Sequence, residues 1–125
     1  MQKEIWIYVC GVHSLLFAVF HMGFWRLFKW RTELRKLSEV NRGIMQVLNL
    51  RLVFVFLLFA FLCFFYPRDL YTTGLGRALL AGISLFWLGR LVEQFIFFPK
   101  GNAYAHLLTV LFFLGFMLFL LPVVA

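Results

Sequence analysis

The sequence predicts an all-α integral membrane protein, a four-helix bundle of transmembrane helices that forms a single domain over its 125 residues. Three observations predict it. The chain is 64% hydrophobic and contains 18 phenylalanines, more apolar surface than a water-soluble core of this size can bury. Charged residues make up only 14% and are grouped mainly between long segments that contain few charges. Each segment has about 20 residues or more, enough at 1.5 Å per residue to cross a hydrocarbon core of about 30 Å.

The four predicted spans follow the long apolar segments in chain order. They are residues 5–28, 44–66, 75–98 and 103–124. The apolar stretch of the first is longer than that of a signal peptide, and no small-residue cleavage site follows it. We therefore expect it to stay in the mature protein as a spanning helix.

The segment between the first two spans, residues 29–41, has a different character. Apolar residues recur in it at helical spacing with charges between them: Trp30, Leu34, Leu37 and Val40. This pattern predicts a short amphipathic helix that lies on the membrane interface. Ser38 or Asn41 is expected to cap the second spanning helix, because either side chain accepts a hydrogen bond from a first-turn N–H.

Basic residues near the membrane predict how the chain crosses it. They lie around the connection between the first two spans at Arg26, Lys29, Arg31, Arg35, Lys36 and Arg42, and on the other side at Lys3, Arg68 and Arg77. Because basic loops stay in the cytoplasm, both termini are expected in the periplasm of a bacterial inner membrane, and residues 99–102 in a cytoplasmic turn. The net charge of +7 then favours anionic membrane lipids as partners. No nucleic-acid-binding motif accompanies it, so nucleic acid is excluded as a partner.

Polar side chains of several spans are predicted to gather in the cytoplasmic half of the bundle. With this orientation that half contains His21, Arg42, Gln46, Asn49, Arg90, Glu93, Gln94 and His106. Ionisable groups within spans usually face the protein interior, because lipid does not solvate them. Glu93 is the one carboxylate within any predicted span. We expect it to be ionised and paired with Arg90, or with Arg42 or Arg51 of the neighbouring helix.

The function predicted from this clustering is the binding of a lipid-like or amphipathic small molecule in a cytoplasm-facing polar pocket. Arg42 and Arg90 are expected to bind an anionic headgroup. The other ligand-binding candidates are Gln46, Asn49, Gln94 and His106. His21 and Glu93 are the candidates for catalytic proton transfer, because an imidazole beside a carboxylate exchanges protons near neutral pH. Whether the protein is an enzyme stays open at this stage.

Two other functions are compatible with the same residues. The polar cluster and a small-residue face on the third span, formed by Ala78, Gly82 and Gly89, would dock an accessory subunit into a larger membrane complex or against another copy of the chain. Alternatively, His21 and His106 would bind a haem axially in an electron-transfer protein. No metal site is predicted, the cofactor stays undetermined, and a third histidine, at position 13, is expected to pack as a neutral side chain.

The two cysteines lie near the outer ends of the first two spans. Cys10 and Cys63 are both predicted to face inward, and a disulfide between them is permitted if these helices are neighbours. Two free, buried thiols are the expected state.

The layout of four spans, with a basic loop after the first and polar residues at the inner end of the second, resembles that of the membrane-associated eicosanoid and glutathione metabolism proteins. Here "NRGIMQVLN" occupies the place of an Arg, His, Asn and Glu pattern in those proteins, and it contains Arg42 and Asn49 but neither His nor Glu. The resemblance is one of architecture, and it implies a cytoplasm-facing site in a trimer-like assembly.

Overall fold

The computed structural model describes residues 2–98 and 101–125, which form helices and no strand. In chain order the helices are α1 (Gln2–Met22), α2 (Phe24–Leu27), α3 (Trp30–Glu33), α4 (Glu39–Phe65), α5 (Pro67–Thr72), α6 (Gly74–Phe97) and α7 (Ala103–Val124). Helices α1, α4, α6 and α7 are each long and apolar enough to cross a membrane. The chain is a multi-pass membrane protein, and the prediction of an all-α fold with four spans is confirmed. The predicted turn at residues 99–102 lies partly outside the described residues.

The spanning helices differ from the predicted spans at their ends. Helix α1 ends at Met22, before its predicted end, because Gly23 has a low helix propensity and separates it from α2. Helix α4 begins earlier than predicted, at Glu39. The reason is that Ser38 Oγ accepts a hydrogen bond from the backbone N–H of Asn41 at 3.3 Å, which caps a polar first turn. The expected cap at Ser38 is confirmed.

The segment predicted as one amphipathic helix is divided in the structure. Lys29 has a left-handed backbone, with φ 52°, and separates α2 from α3. Leu37 is extended and ends the 3₁₀ turn Leu34–Lys36 that follows α3. Trp30 is buried, whereas Val40 belongs to α4 and is 71% exposed. The helical pattern is therefore realised in short pieces, and the interfacial placement stays a prediction.

The described residues fall into two compact units. The α1–α4 unit comprises residues 11–62, and the α6–α7 unit comprises residues 2–10, 63–98 and 101–125. Buried apolar side chains of the first unit are Phe17, Ala18, Trp30, Leu34, Phe56 and Ala60. Those of the second are Ile7, Cys10, Cys63, Leu70, Leu80, Ile83, Trp87, Phe112, Leu118 and Phe119.

Helices α6 and α7 pack as an antiparallel hairpin. Ser84 Oγ donates to the backbone oxygen of Phe116 at 2.8 Å. One turn further along α6, the Trp87 ring stacks on Phe112 at a centroid distance of 5.8 Å. A later residue of α6 therefore contacts an earlier residue of α7, as in an antiparallel pair of helices. The hydroxyl of Ser84 is satisfied by a carbonyl of the partner helix, as a polar group within a span must be.

Pro122 lies inside α7, and because proline has no N–H, it leaves the carbonyl of Leu118 without its usual helical donor. In a spanning helix such a carbonyl must find a partner within the protein. Trp6 Nε1 donates to this oxygen at 2.8 Å, and Cys10 Sγ donates to it at 3.1 Å. Both donors lie one turn apart on α1. The proline therefore creates the acceptor that fastens the first half of α1 to α7.

Thr73 joins α5 to α6 through its hydroxyl. The hydroxyl donates to the backbone oxygen of Asp69 at 2.6 Å and accepts from the backbone N–H of Gly76 at 2.9 Å, which makes Thr73 the N-cap of α6. At Gly76 the two helices meet closely, because a Cβ atom there would lie 2.5 Å from Leu70 Cα. The turn therefore depends on a capping hydroxyl and on a residue without a side chain.

Replacing Thr73 with valine should lower the free energy of unfolding by about 1–2 kcal/mol, because the cap of α6 is lost while the side-chain shape is kept. The measurement is the midpoint of SDS-induced unfolding in mixed micelles, followed by circular dichroism. Thr72→Val is the matched control, since the Thr72 hydroxyl donates to the Arg68 oxygen at 2.7 Å and caps no helix. An equal loss in both variants would contradict the capping role.

Candidate functional site

Arg90 lies near the end of α6 and faces the start of α7. Together with Gln94, Phe98 and Phe112 it forms what we call the Arg90 cluster. The guanidinium carbon of Arg90 is 4.5 Å from the ring centroid of Phe112 and 5.0 Å from that of Phe98. Its Nη2 donates to Gln94 Oε1 at 3.3 Å, and Gln94 Nε2 donates to the backbone oxygen of Ala105 at 3.3 Å. Arg90 is half-buried and Gln94 is buried. The positive charge of Arg90, within a spanning helix, is therefore contacted by two aromatic rings and by the side-chain amide of Gln94.

Glu93 does not form the expected ion pair with Arg90. Among the described residues no ion pair within 4.0 Å involves Glu93, whose side chain is exposed on α6. Helical phase permits the pair, since residues three apart are neighbours on a helix, but the guanidinium is turned toward Phe112 and Gln94. Glu93 acts on it electrostatically from beyond ion-pair distance. Glu93 lies four residues from the end of α6, so it costs less in the membrane than a charge at the helix centre, for which insertion scales give about 2.5–3.5 kcal/mol. Its pairing with residues of α4 stays a prediction.

In the α1–α4 unit, His21 is held by its own helix and by aromatic rings. Its Nδ1 lies 2.8 Å from the backbone oxygen of Phe17, which favours the tautomer protonated at Nδ1. The imidazole stacks on Phe24 at 4.4 Å and lies 5.1 Å from the Phe56 ring centroid. These contacts fix the orientation of the ring. The role of His21 in proton transfer stays a prediction.

Arg42, Gln46 and Asn49 follow one another along a single face of α4, because they are spaced by four and three residues. The guanidinium of Arg42 donates to two backbone oxygens of the preceding segment, Leu34 at 3.0 Å and Leu37 at 3.2 Å. Gln46 Nε2 donates to the backbone oxygen of Arg42 at 3.3 Å. Arg42 therefore caps the end of the 3₁₀ turn, a structural role that its position next to the predicted interfacial segment did not reveal.

Asn49 is the most deeply placed of the candidates on α4. It is 8% exposed, and within the described part of the chain its Oδ1 has no hydrogen-bond partner. A buried amide oxygen without a donor is costly. Asn49 therefore stays a ligand-binding candidate with an observation in its favour. His106, by contrast, is exposed on the first turns of α7.

The structure thus joins Arg90 to Gln94, and Arg42 to Gln46. Sequence reasoning missed Phe98 and Phe112, the rings that hold the Arg90 guanidinium. Phe98 lies two turns beyond Arg90, a spacing that was available as a signal. Nothing in the sequence singles out Phe112 among 18 phenylalanines.

The opposite end of the α6–α7 unit contains a cleft of about 370 Å³. Its lining is mostly apolar and consists of Gln2, Lys3, Trp6, Leu121, Pro122 and Ala125. Nearby, Glu4 Oε1 accepts from Arg68 and from the Tyr71 hydroxyl, each at 3.3 Å. Hydrogen bonds with Tyr71 and Glu4 raise the pKa of Arg68 above its usual value. This end of the unit is tied together by exposed polar contacts.

Both cysteines are free and buried, so the expectation of two buried thiols is confirmed. In the described residues no group of three or more His, Cys, Asp or Glu side chains is placed to hold a metal ion.

The fold and these clusters define the class of the protein: a small multi-pass membrane protein with arginine side chains in its spanning helices. Aromatic rings contact the guanidinium of Arg90, and backbone oxygens accept hydrogen bonds from that of Arg42. Comparison with protein-family models, with curated proteins and with solved structures gave no match. The architectural resemblance to the eicosanoid and glutathione metabolism proteins is therefore not accompanied by a family match.

Proposed function

We propose that this protein binds an anionic, lipid-like molecule through the Arg90 cluster. The observation that carries the proposal is the way in which the charge is held. Two aromatic rings and one amide contact the guanidinium, and no ion pair within 4.0 Å involves it in the described part of the chain. Aromatic rings attract a cation without neutralising it. The charge therefore stays available to a phosphate or carboxylate headgroup, which arginine binds in a bidentate manner.

The depth of Arg90 suits a headgroup. It lies about 10 Å along the helix axis from the end of α6, and an arginine side chain of that depth extends toward the interface while its stem stays in apolar surroundings. The rings of Phe98 and Phe112 would border the first methylene groups of an acyl chain. Gln94, bonded to Arg90, would supply a further hydrogen bond to the headgroup.

The proposal includes the orientation of the chain. The excess of basic residues between α1 and α4 supports a cytoplasmic location for that connection and, by threading, for the end of α6. Both termini would then be periplasmic, and residues 29–41 would lie along the inner leaflet of a bacterial inner membrane. Anionic lipids of that leaflet would be within reach of Arg90.

For the other candidate residues, ligand binding stays a prediction. Asn49 has its buried oxygen in its favour, whereas Arg42 and Gln46 are bonded to backbone oxygens. The proposal is one of binding, and it assigns no catalytic step to His21 or Glu93.

Arg90→Gln should weaken retention of phosphatidylglycerol by about tenfold, because the side chain stays polar while the charge is lost. The measurement is native mass spectrometry of the detergent-purified protein, titrated with phosphatidylglycerol or with phosphatidylcholine. Wild type should retain the anionic lipid in preference to the zwitterionic one, and Arg90→Lys should keep part of that preference.

Arg68→Gln is the matched control, because it removes the same charge from an exposed residue of α5, before the start of α6. Glycerol phosphate is a second probe, since it carries the headgroup chemistry without acyl chains. Equal losses in the two variants would refute the assignment to Arg90. Binding of glycerol phosphate as tightly as the lipid would assign the site to a soluble anion.

A further inference from the structure

One face of α6 is left uncovered by the other helices of the α6–α7 unit along most of its length. Its members recur every three or four residues and are all exposed: Leu75, Ala78, Gly82, Leu85, Gly89 and Glu93. We refer to this set as the open α6 face. A Cβ atom added at Gly82 or at Gly89 would meet no other atom within 4 Å. Small residues at such positions let the backbone of another spanning helix approach closely.

The open α6 face carries a negative charge, and α4 carries an exposed positive one. Glu93 lies in the last turns of α6, and Arg51 lies near the middle of α4. The Arg51 guanidinium carbon is 5.8 Å from the Phe54 ring centroid. Within residues 2–98 and 101–125, neither Glu93 nor Arg51 makes an ion pair within 4.0 Å. Glu93 acts electrostatically on Arg90 from beyond ion-pair distance. A charge within a span is stabilised further by a group of opposite sign in direct contact with it.

We propose that the protein assembles with itself, and that α4 of one copy packs on the open α6 face of the next with Arg51 of the first paired to Glu93 of the second. A second copy is the occupant that the charges favour, because every copy brings both a donor and an acceptor of the pair. A contact between two different faces is heterologous, and it forms a ring of identical copies when the rotation from copy to copy closes and an open row when it does not.

The threading proposed above brings Arg51 of one copy and Glu93 of the next to similar depths in the membrane. Arg51 lies about 21 Å along the helix axis from the end of α4 at Phe65, and Glu93 about 28 Å from the start of α6 at Gly74. Side chains lean toward the N-terminus of their own helix. Because successive spans run in opposite directions, the Arg51 side chain leans toward the level of Glu93, and the Glu93 side chain leans toward that of Arg51.

The small residues and the charges have complementary parts in this contact. Gly82 and Gly89 allow the α4 backbone of the other copy to pack closely on α6. The dispersion contacts between the two helices then replace those that each helix makes with lipid tails. The ion pair fixes the register, because a shift along the helix by one turn would separate Arg51 from Glu93. The inference is independent of the lipid proposal, since it uses neither Arg90 nor Gln94.

Subunit counting by stepwise photobleaching in lipid vesicles tests the proposal. Wild type should form oligomers, whereas Glu93→Arg and Arg51→Glu should each lower the oligomeric fraction by about tenfold. Both residues are exposed in the single chain, so the circular dichroism of each variant should match that of wild type. Arg90→Gln should leave the oligomeric fraction unchanged, which separates this test from that of lipid binding.

Mixing the two reversed variants distinguishes pairing between copies from pairing within one copy. A Glu93→Arg copy offers arginine at both positions, and an Arg51→Glu copy offers glutamate at both. Neither should assemble alone, but together they should form mixed dimers or larger oligomers with an even number of copies, because only a contact between unlike copies joins opposite charges.

A steric variant provides a second arm that changes no charge. Gly82→Leu should prevent assembly, because it fills the open α6 face. Gly43→Leu is its control, since position 43 lies in the first turns of α4 and its Cβ would also meet nothing within 4 Å. The proposal is overturned if wild type is monomeric in vesicles, if the single reversals leave the oligomers intact, or if the mixture forms no mixed dimer. Stoichiometric binding of a different membrane protein at the open α6 face would also overturn it.

Discussion

Replacing Gly76 with alanine should destabilise the protein by about 1–3 kcal/mol or more, because the new methyl group would overlap backbone rather than flexible side chains. Its Cβ would lie 2.5 Å from Leu70 Cα and 2.6 Å from the Leu70 oxygen, and it would also meet the Asp69 oxygen. These atoms belong to α5, which would have to move away from the start of α6. The loss is measurable as a lowered midpoint of SDS-induced unfolding.

Gly74→Ala is the matched control, because it makes the same change two residues away in the same helix, at a position where a Cβ would meet nothing within 4 Å. Alanine has the higher helix propensity, so this variant should be neutral or stabilised by up to about 1 kcal/mol. If Gly76→Ala is as stable as Gly74→Ala, α5 does not pack against α6 as described.

Removing both donors to the Leu118 carbonyl, by Trp6→Phe together with Cys10→Ala, should cost about 1–3 kcal/mol, because a buried oxygen is left without a partner. The same pair of changes should cost less in a Pro122→Ala background. Alanine at position 122 restores the backbone N–H that bonds to residue 118 in an uninterrupted helix. The two costs, measured by SDS-induced unfolding, should differ by about 0.5–3 kcal/mol.

The comparison between backgrounds is what makes this test specific. Loss of ring packing at Trp6 or of volume at Cys10 lowers stability equally in both backgrounds, whereas loss of the hydrogen bonds depends on proline. Equal costs with and without Pro122 would show that the Leu118 oxygen is not what joins α1 to α7.

The number of spans could be predicted from the sequence because it depends on length and charge alone. An uncharged segment of about 20 residues has few alternatives to crossing the bilayer. The ends of the helices depend on local contacts instead. Ser38 could be recognised as a cap from its residue type, but the extended backbone at Leu37, which divides the predicted interfacial helix, has no marker such as glycine.

The candidate site could be predicted only as a list of residues. Spacing along α6 correctly relates Arg90 to Gln94, because residues four apart share a helical face. It does not fix the rotation of the helix about its axis, and so it could not show that Glu93 is exposed while Gln94 is buried. Arg42 illustrates a second limit, since its partners, the oxygens of Leu34 and Leu37, are backbone atoms.

The same applies to Pro122, which is visible in the sequence although its consequence is not. A proline in a spanning helix indicates an acceptor without its helical donor. Which residues donate to that acceptor depends on the packing of α1 beside α7, and an indole and a thiol are two of several side chains that could do so.

The burial of the two native thiols has a practical consequence. Cys10 is 0% exposed and Cys63 is 1% exposed, so water-soluble maleimides reach neither in the folded protein. A single cysteine introduced on a connecting segment would be the reactive group, without prior removal of the natural ones. Single-cysteine variants of the natural chain can therefore be labelled directly in intact cells. Such labelling shows on which side of the membrane each connecting segment lies.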